Sequence, residues 1–129
     1  MTNVYIADSQ PDERSALRLM LSDLKMNIIG EAGSWDTLME QMLDSNPDIV
    51  LVDWGLVGDE SGLMMSKLRA ICPVSSVIVL FSQWDPREQA ALSAGADLFI
   101  SKSETSRQVA DHLQAAAETV RYKRIFGMI

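Results

Sequence analysis

Short apolar runs alternate with longer amphipathic segments along this chain, five times over. The runs are VYIA (4–7), NIIGEA (27–32), DIVLVD (48–53), SVIVLFS (76–82) and DLFIS (97–101). The third and fourth runs are nearly continuous in valine, isoleucine and leucine, which is typical of strands buried on both faces of a parallel sheet. The pattern therefore predicts five strands.

The segments between these runs carry the start and stop signals of helices. Prolines open helices, hydroxyl side chains cap them, and glycines end them. The first expected helix begins at Pro11, with Asp12 and Glu13 in its first turn, and the second follows a Ser34 cap. The third runs from about Leu63 and stops before Pro73, and the fourth runs from Pro86 to Gly95. The fifth covers about 104–122 and is followed by a short tail over 123–129.

A strand followed by a helix, five times, predicts an α/β domain whose parallel sheet is covered on both faces. With 47% hydrophobic residues, residues 1–129 can form one domain around a core of ordinary size. In sheets of this kind ligands bind outside the carboxyl ends of the strands. Polar residues at those ends are therefore the candidates for function.

Five polar side chains fall at four of these strand ends. They are Asp8 and Ser9 after the first strand, Asp53 at the end of the third, Ser82 at the end of the fourth and Lys102 after the fifth. One such residue alone is readily explained as a helix cap or a turn residue. Five of them at one edge of a sheet indicate a site.

The chemistry of these five groups is complementary. Clustered carboxylates attract a hard divalent cation such as Mg²⁺, and a carboxylate is a competent nucleophile toward a phosphoryl group. An ammonium and a hydroxyl can hold phosphoryl oxygens. The residues therefore favour a site for phosphoryl chemistry.

Charge and composition narrow the classes of function. A net charge of −7 makes direct nucleic-acid binding a poor expectation, and the basic RYKR at 121–124 fits a helix end better than a binding patch. No run approaches the roughly 18 apolar residues of a membrane span, and residues 1–7 lack signal-peptide features. The single cysteine, Cys72, cannot form an internal disulfide. We therefore expect a cytoplasmic protein with no membrane contact.

Four ordered motifs resemble the receiver domain of two-component response regulators over essentially the full length of the chain. They are VYIADSQPDER (4–14), PDIVLVDWGL (47–56), VLFS (79–82) and AGADLFISK (94–102). The resemblance implies a flavodoxin-like, doubly wound (βα)5 fold with a five-stranded parallel sheet in the order 2-1-3-4-5.

The resemblance also implies a role for each site residue. Asp53 would accept a phosphoryl group from a sensor histidine kinase or phosphotransfer protein, and Asp8, Asp53 and the backbone carbonyl of Gly55 would hold Mg²⁺. Ser82 and Lys102 would bind the phosphate, and the rotamer of Phe99 would follow Ser82. The face formed by helix four, strand five and helix five would then change its contacts with partners, a homodimer among them.

The sequence departs from the family pattern in several places. Where the family usually has two adjacent acids, this chain has Asp8-Ser9, which should weaken Mg²⁺ binding; neither Asp12 nor Glu13 is assumed to substitute. The loop 57–62 is about one residue longer than usual, with Asp59 and Glu60 expected to be solvated.

Further departures lie around the fourth helix and the lysine. The segment 82–95 is about two residues shorter, so the fourth helix should start late or be small. Trp84 lies in this segment, where it could either form part of a contact surface or cover the edge of the core. Ser103 replaces a proline after Lys102, so no cis peptide is expected there.

Three functions follow from these observations. The first is a phosphorylation-dependent switch, and the second is an atypical receiver that acts as an interaction or dimerisation module without phosphate. An enzyme is disfavoured because Gly55 occupies the place of a phosphatase's second acid and DSQPDER is not a flavin phosphate loop. The ending RIFGMI is too short for a DNA-binding unit, which leaves open a single-domain regulator or the receiver piece of a longer protein. His112, the single histidine, is expected to be structural.

Overall fold

The computed structural model describes residues 1–127, in which five strands alternate with five helices. The elements are β1 (Asn3–Ala7), α1 (Pro11–Asp23), β2 (Asn27–Ala32), α2 (Trp35–Met42), β3 (Ile49–Asp53), a 3₁₀ turn (Trp54–Leu56), α3 (Ser61–Ile71), β4 (Ser76–Phe81), α4 (Glu88–Ala94), β5 (Leu98–Ser101) and α5 (Ser106–Phe126). Every strand and helix expected from the sequence is present. Among these described residues no helix is both long and apolar enough to cross a bilayer.

The strands form one parallel sheet in the order β2-β1-β3-β4-β5, so the expected fold is confirmed. The chain winds outward from β1 in one direction and from β3 in the other. The carboxyl ends of β1 and β3 therefore border the crevice where the strand order reverses, which is where ligands bind in such sheets.

The core lies in two layers, one on each face of the sheet. All five residues of β3 are buried, which explains its unbroken apolar run. One face packs against α2, α3 and α4, and the other packs against α1 and α5. The first face includes Val50, Val52, Val77 and Val79, and the second includes Ile49, Leu51, Ile78 and Ile100.

The fourth helix is small and starts late, as its short segment indicated. It begins at Glu88 rather than at Pro86, and it ends at Gly95 as expected. Asp85 accounts for the delay, because its carboxylate accepts a hydrogen bond from the backbone N–H of Arg87 (2.9 Å) and so holds the loop in a turn.

The expected bounds of the fifth helix were wrong at both ends. The side chain of Glu104 accepts a hydrogen bond from the backbone of Ser101, and Thr105 caps the helix together with Gln108. The helix continues through residues 123–126, which were expected to be a tail, and ends at Gly127. Basic side chains in its last turn suit the helix dipole, and the last two tail residues lie outside the described part of the chain.

Gly95 allows the turn between α4 and β5, and its replacement should destabilise the fold. Its φ is +149°, and an added Cβ would lie 2.8 Å from Arg69 Cβ. We expect Gly95→Ala to lower the free energy of unfolding by about 2 kcal/mol, measured by chemical denaturation. Gly33→Ala, whose added Cβ would meet only a side-chain nitrogen of Arg14 at 3.5 Å, is the matched control. Equal effects of the two substitutions would contradict this assignment.

Candidate functional site

Two acids predicted from strand ends meet at the crevice of the sheet. Asp8 directly follows β1 and Asp53 ends the neighbouring β3, and both are buried, with exposed fractions of 1% and 7%. Each offers a carboxylate oxygen to a group in which all oxygens lie within 4.8 Å of one another. The third carboxylate of this group belongs to Glu13, and we call the three residues the acidic cluster.

Glu13 is the site residue that sequence reasoning missed. It is the third residue of α1, which starts at Pro11, only three residues after Asp8. The backbone N–H of Gln10 donates to Asp8 Oδ1 at 2.9 Å and fixes the turn between strand and helix. The available signal was the position of Pro11, because a helix that starts so soon after a strand carries its first turn over the edge of the sheet.

Lys102 crosses the site and joins two of the three acids. Its Nζ lies 2.5 Å from Asp53 Oδ1 and 2.9 Å from Glu13 Oε2, and its side chain is 25% exposed. Burial alone would lower the pKa of Lys102, but hydrogen bonds to Asp53 and Glu13 raise it above its ordinary value. Lys102 therefore stays charged and offsets part of the repulsion among the carboxylates.

Asp8 is the least satisfied group of the site. Its Oδ2 is buried and has no hydrogen-bond partner within residues 1–127. Burial, the carboxyl of Glu13 and the charge of Asp53 raise the pKa of Asp8 to about 7. The neighbouring Asp8 carboxyl and the ammonium of Lys102 lower the pKa of Glu13. A positive charge placed beside Asp8 would therefore stabilise the site.

The acidic cluster has the composition that a magnesium site requires. Three carboxylates at −1 each and one ammonium at +1 leave −2 when all are ionised, which matches a divalent cation. Oxygen donors are the ligands that Mg²⁺ prefers, and the unpartnered Asp8 Oδ2 supplies one that nothing else uses. The residues present therefore fit a bound Mg²⁺.

Gly55 gives the carboxylate of Asp53 its room. Gly55 lies in the 3₁₀ turn directly after β3, and an added Cβ there would stand 2.8 Å from Asp53 Oδ2. Such an approach is too close for a real contact, so any larger residue would push the carboxylate or the turn aside. The sequence reasoning assigned Gly55 a backbone role, and the geometry adds this steric one.

A cleft of about 350 Å³ opens over Asp53 and brings together most of the predicted residues. It is lined by Gln10, Glu13, Asp53, Trp54, Gly55, Ser82, Gln83, Trp84, Asp85 and Lys102. Ser82 is exposed on its wall. Trp84 is 74% exposed, so it does not cover the edge of the core. The alternative, that it forms part of a contact surface, stays a prediction.

Trp54, the residue after Asp53, is tied to the loop between β4 and α4. Its Nε1 donates to Asp85 Oδ2 at 2.9 Å, and the guanidinium of Arg87 lies 5.1 Å from the centre of the Trp54 ring. The hydrogen bonds from Arg87 hold the pKa of Asp85 below its usual range. The sequence did not reveal this connection, because its members are far apart in the chain.

Phe99 belongs to the same connection. Its ring centre is 5.1 Å from that of Trp54, in an edge-to-face arrangement, and 6.0 Å from that of Phe81. The side chain is partly buried in the core layer under the cleft. The predicted aromatic residue of β5 therefore contacts Trp54, the residue next to Asp53.

The residues expected to be structural lie away from the acidic cluster. Asp59 and Glu60 are exposed, and Asp59 pairs with Arg87 at 3.5 Å. Cys72 is buried, and its thiol donates to the carbonyl of Leu68. His112 Nε2 lies 3.1 Å from Glu104 Oε1. These expectations agree with the structure.

The chain belongs to the response regulator receiver domain family, whose family model matches residues 4–114. This family consists of signalling domains that interact with histidine kinases or phosphotransfer proteins and typically bind Mg²⁺ at an acidic site. The resemblance that the four sequence motifs indicated is thereby confirmed.

Individual relatives agree with the family. A Pseudomonas aeruginosa protein provisionally named a transcriptional regulator is 30% identical over 108 residues, which cover 81% of this chain; the chain spans about half (51%) of that protein's length. A CheY-like receiver domain from Methanospirillum hungatei JF-1 superposes with a TM-score of 0.85 at 14% identity, covering 95% of this chain and 98% of its own. The receiver domain of an HD domain-containing protein from Pseudomonas fluorescens Pf-5 gives 0.84 at 18% identity, covering 95% and 91%. The two structures show the shared fold.

Proposed function

We propose that the chain is a phosphorylation-dependent switch whose phosphoacceptor is Asp53. The observation that carries the proposal is the setting of that one carboxylate. Asp53 ends the central strand at the crevice, next to two further acids that fit Mg²⁺, and its Oδ1 contacts the ammonium of Lys102. A carboxylate so placed can act as a nucleophile, and the ammonium of Lys102 lies close enough to bind the resulting aspartyl phosphate.

The chemistry follows from the residues around Asp53. A carboxylate oxygen of Asp53 attacks the phosphorus of a phosphohistidine or a small acyl phosphate, the bond from phosphorus to the donor breaks, and the donor leaves with its electron pair. Mg²⁺, when bound by the acidic cluster and the Gly55 carbonyl, offsets the negative charge of the phosphoryl group. The Lys102 ammonium and the Ser82 hydroxyl then bind the phosphoryl oxygens.

The expected consequence is a change in contacts on the face formed by α4, β5 and α5. When Ser82 turns toward the phosphoryl group, it moves the loop that Asp85 and Arg87 tie to Trp54, and Phe99 packs against that same ring. The charge event at Asp53 thus acts on a packed element that can take two arrangements. The proposed partners are a cytoplasmic sensor histidine kinase or phosphotransfer protein, and a second copy of the chain.

Ser9 supports a second candidate function. It is exposed and brings no carboxylate to the place where the family usually has its second acid. Lys102 already satisfies Asp53 without a phosphoryl group. A chain with these properties could serve as an interaction or dimerisation module that needs no phosphate.

Incubation with acetyl phosphate, followed by intact-mass measurement, distinguishes the two functions. We expect one added phosphoryl group in the presence of Mg²⁺ and none when the cation is chelated. Ser9→Asp is measured alongside. If the wild type takes up no phosphoryl group and Ser9→Asp does, the module without phosphate is the better account. If neither protein is modified, Asp53 is not a working phosphoacceptor toward this donor and the proposed function is contradicted.

A further inference from the structure

We propose that Glu13 replaces the acid that this chain lacks at position 9 and serves as the third carboxylate ligand of the divalent cation. The inference deepens the proposed function and rests on it, because it concerns the cation of the same site. Glu13 lies in a helix, whereas the acids expected from the sequence lie at strand ends. The proposal is carried by the position of Glu13, by the unpartnered oxygen of Asp8 and by the charge balance.

The position of Glu13 is the first of these. Ser9 is exposed and has only a hydroxyl to offer, whereas the carboxylate of Glu13 lies within 4.8 Å of those of both Asp8 and Asp53. Glu13 is only partly buried and stands in the first turn of a helix, so it could have pointed into solvent. Its neighbour Asp12 is exposed and lies outside the acidic cluster.

The unpartnered oxygen indicates that the cluster is built for a ligand. Asp8 is 1% exposed, and its Oδ2 has no hydrogen-bond donor anywhere in residues 1–127. A buried carboxylate oxygen without a partner costs free energy unless a cation or a proton reaches it. The neighbouring acids raise that cost, so the arrangement is favourable only when a positive charge is supplied.

The charge balance shows why three carboxylates are needed. Lys102 bonds to Glu13 and Asp53 and so cancels one of the negative charges. Without Glu13 the site would carry two carboxylates and one ammonium, leaving only −1 for a divalent cation. With Glu13 the remainder is −2, and affinity for such a cation rises with the number of charged ligands.

A bridge to Lys102 is the other role that Glu13 could have. Glu13→Gln distinguishes a metal ligand from a bridge to Lys102. Glutamine keeps the length of the side chain, and its amide oxygen can still accept a hydrogen bond from Lys102. The substitution removes the negative charge that would attract a metal ion. Asp12→Asn is the matched control, since it removes the same charge from the same helical turn outside the acidic cluster.

Electron paramagnetic resonance of free Mn²⁺, with Mg²⁺ as competitor, measures binding without any phosphodonor. We expect Glu13→Gln to weaken Mn²⁺ binding by about tenfold or more, Asp12→Asn to leave it unchanged, and Ser9→Asp to restore it in the Glu13→Gln background. Wild-type affinity in Glu13→Gln, or an equal loss in Asp12→Asn, would overturn the inference. So would a wild type that binds no Mn²⁺.

Phosphorylation of the same variants separates this inference from the proposed function. If the wild type is phosphorylated and Glu13→Gln shows the same Mg²⁺ dependence, the role of Glu13 is wrong and the switch stands. If Mn²⁺ binding depends on Glu13 but the wild type is never phosphorylated, the metal ligand stands and the switch is wrong.

Discussion

Replacing Asp53 with asparagine is expected to abolish phosphoryl uptake completely. Asparagine keeps the shape of the side chain and an oxygen that can accept from Lys102, but its amide is not a nucleophile toward phosphorus. Asp53 ends β3, whereas Glu13 lies in α1 and Asp8 Oδ1 accepts a hydrogen bond from the backbone of Gln10. The proposed function gives the reaction to Asp53 and uses Asp8 and Glu13 as cation ligands, so no slower residual modification is expected. Intact mass after treatment with acetyl phosphate and Mg²⁺ measures the result.

Asp59→Asn is the control for this substitution. It removes an aspartate that is fully exposed in the following loop and outside the acidic cluster. We expect it to be phosphorylated like the wild type. Thermal unfolding of both variants confirms that they are folded before the comparison is made. Full modification of a folded Asp53→Asn would contradict the assignment of the phosphoacceptor.

Asp8→Asn is expected to make the metal-free protein more stable at pH 8, by on the order of 3 kcal/mol. The wild type must bury an ionised carboxylate beside Glu13 and Asp53, with its Oδ2 unpartnered within residues 1–127. Asparagine has no charge to bury, and its amide N–H groups can donate to the neighbouring carboxylates. Urea unfolding of both proteins in the presence of a chelator measures the difference.

The same substitution should change the pH dependence of stability. Burial and the neighbouring acids raise the pKa of Asp8 in the folded protein from 3.8 to about 7. Between these two values the folded state binds a proton that the unfolded state has lost, so the wild type loses stability as the pH rises. The advantage of Asp8→Asn should therefore grow from about pH 4 to pH 7 and stay level above it.

Added Mg²⁺ and a matched variant complete this test. Mg²⁺ should stabilise the wild type at pH 8 more than it stabilises Asp8→Asn, because the cation supplies a positive partner for the ionised Asp8 carboxylate. Asp12→Asn, which removes an exposed acid from the first turn of α1, should change stability little at any pH. An advantage of Asp8→Asn that is independent of pH would show that the buried charge is not its cause.

The fold could be predicted from the sequence because the local signals agree with the tertiary structure. Continuous apolar runs such as that of β3 are typical of a strand buried on both faces. Pro11, Ser34 and Gly95 mark helix ends by their backbone geometry or side-chain capping. The bounds of α5 were wrong because hydrogen bonds decided them. Glu104 binds back to Ser101, and Arg124 is held by Asp48 at 2.9 Å, which anchors the last helical turn.

The candidate site could be predicted only in part. Acids at strand ends are recognisable from position alone, since the topology places those ends at one edge. Glu13 was missed because the position of Pro11 places the first turn of α1 near that edge but does not fix which side chain of the turn points toward Asp8 and Asp53. The connection from Trp54 to Asp85 and Arg87 was missed because contacts between distant loops depend on side-chain packing.

Locating the phosphoryl group in the chain tests the central claim most directly. The wild type is treated with acetyl phosphate and Mg²⁺, the acyl phosphate is reduced with borohydride, and the peptides are sequenced by mass spectrometry. We predict homoserine in place of Asp53 and at no other position. Modification at Asp8 or Glu13, or a stable phosphate elsewhere with Asp53 unchanged, would contradict the claim that Asp53 is the acceptor of this switch.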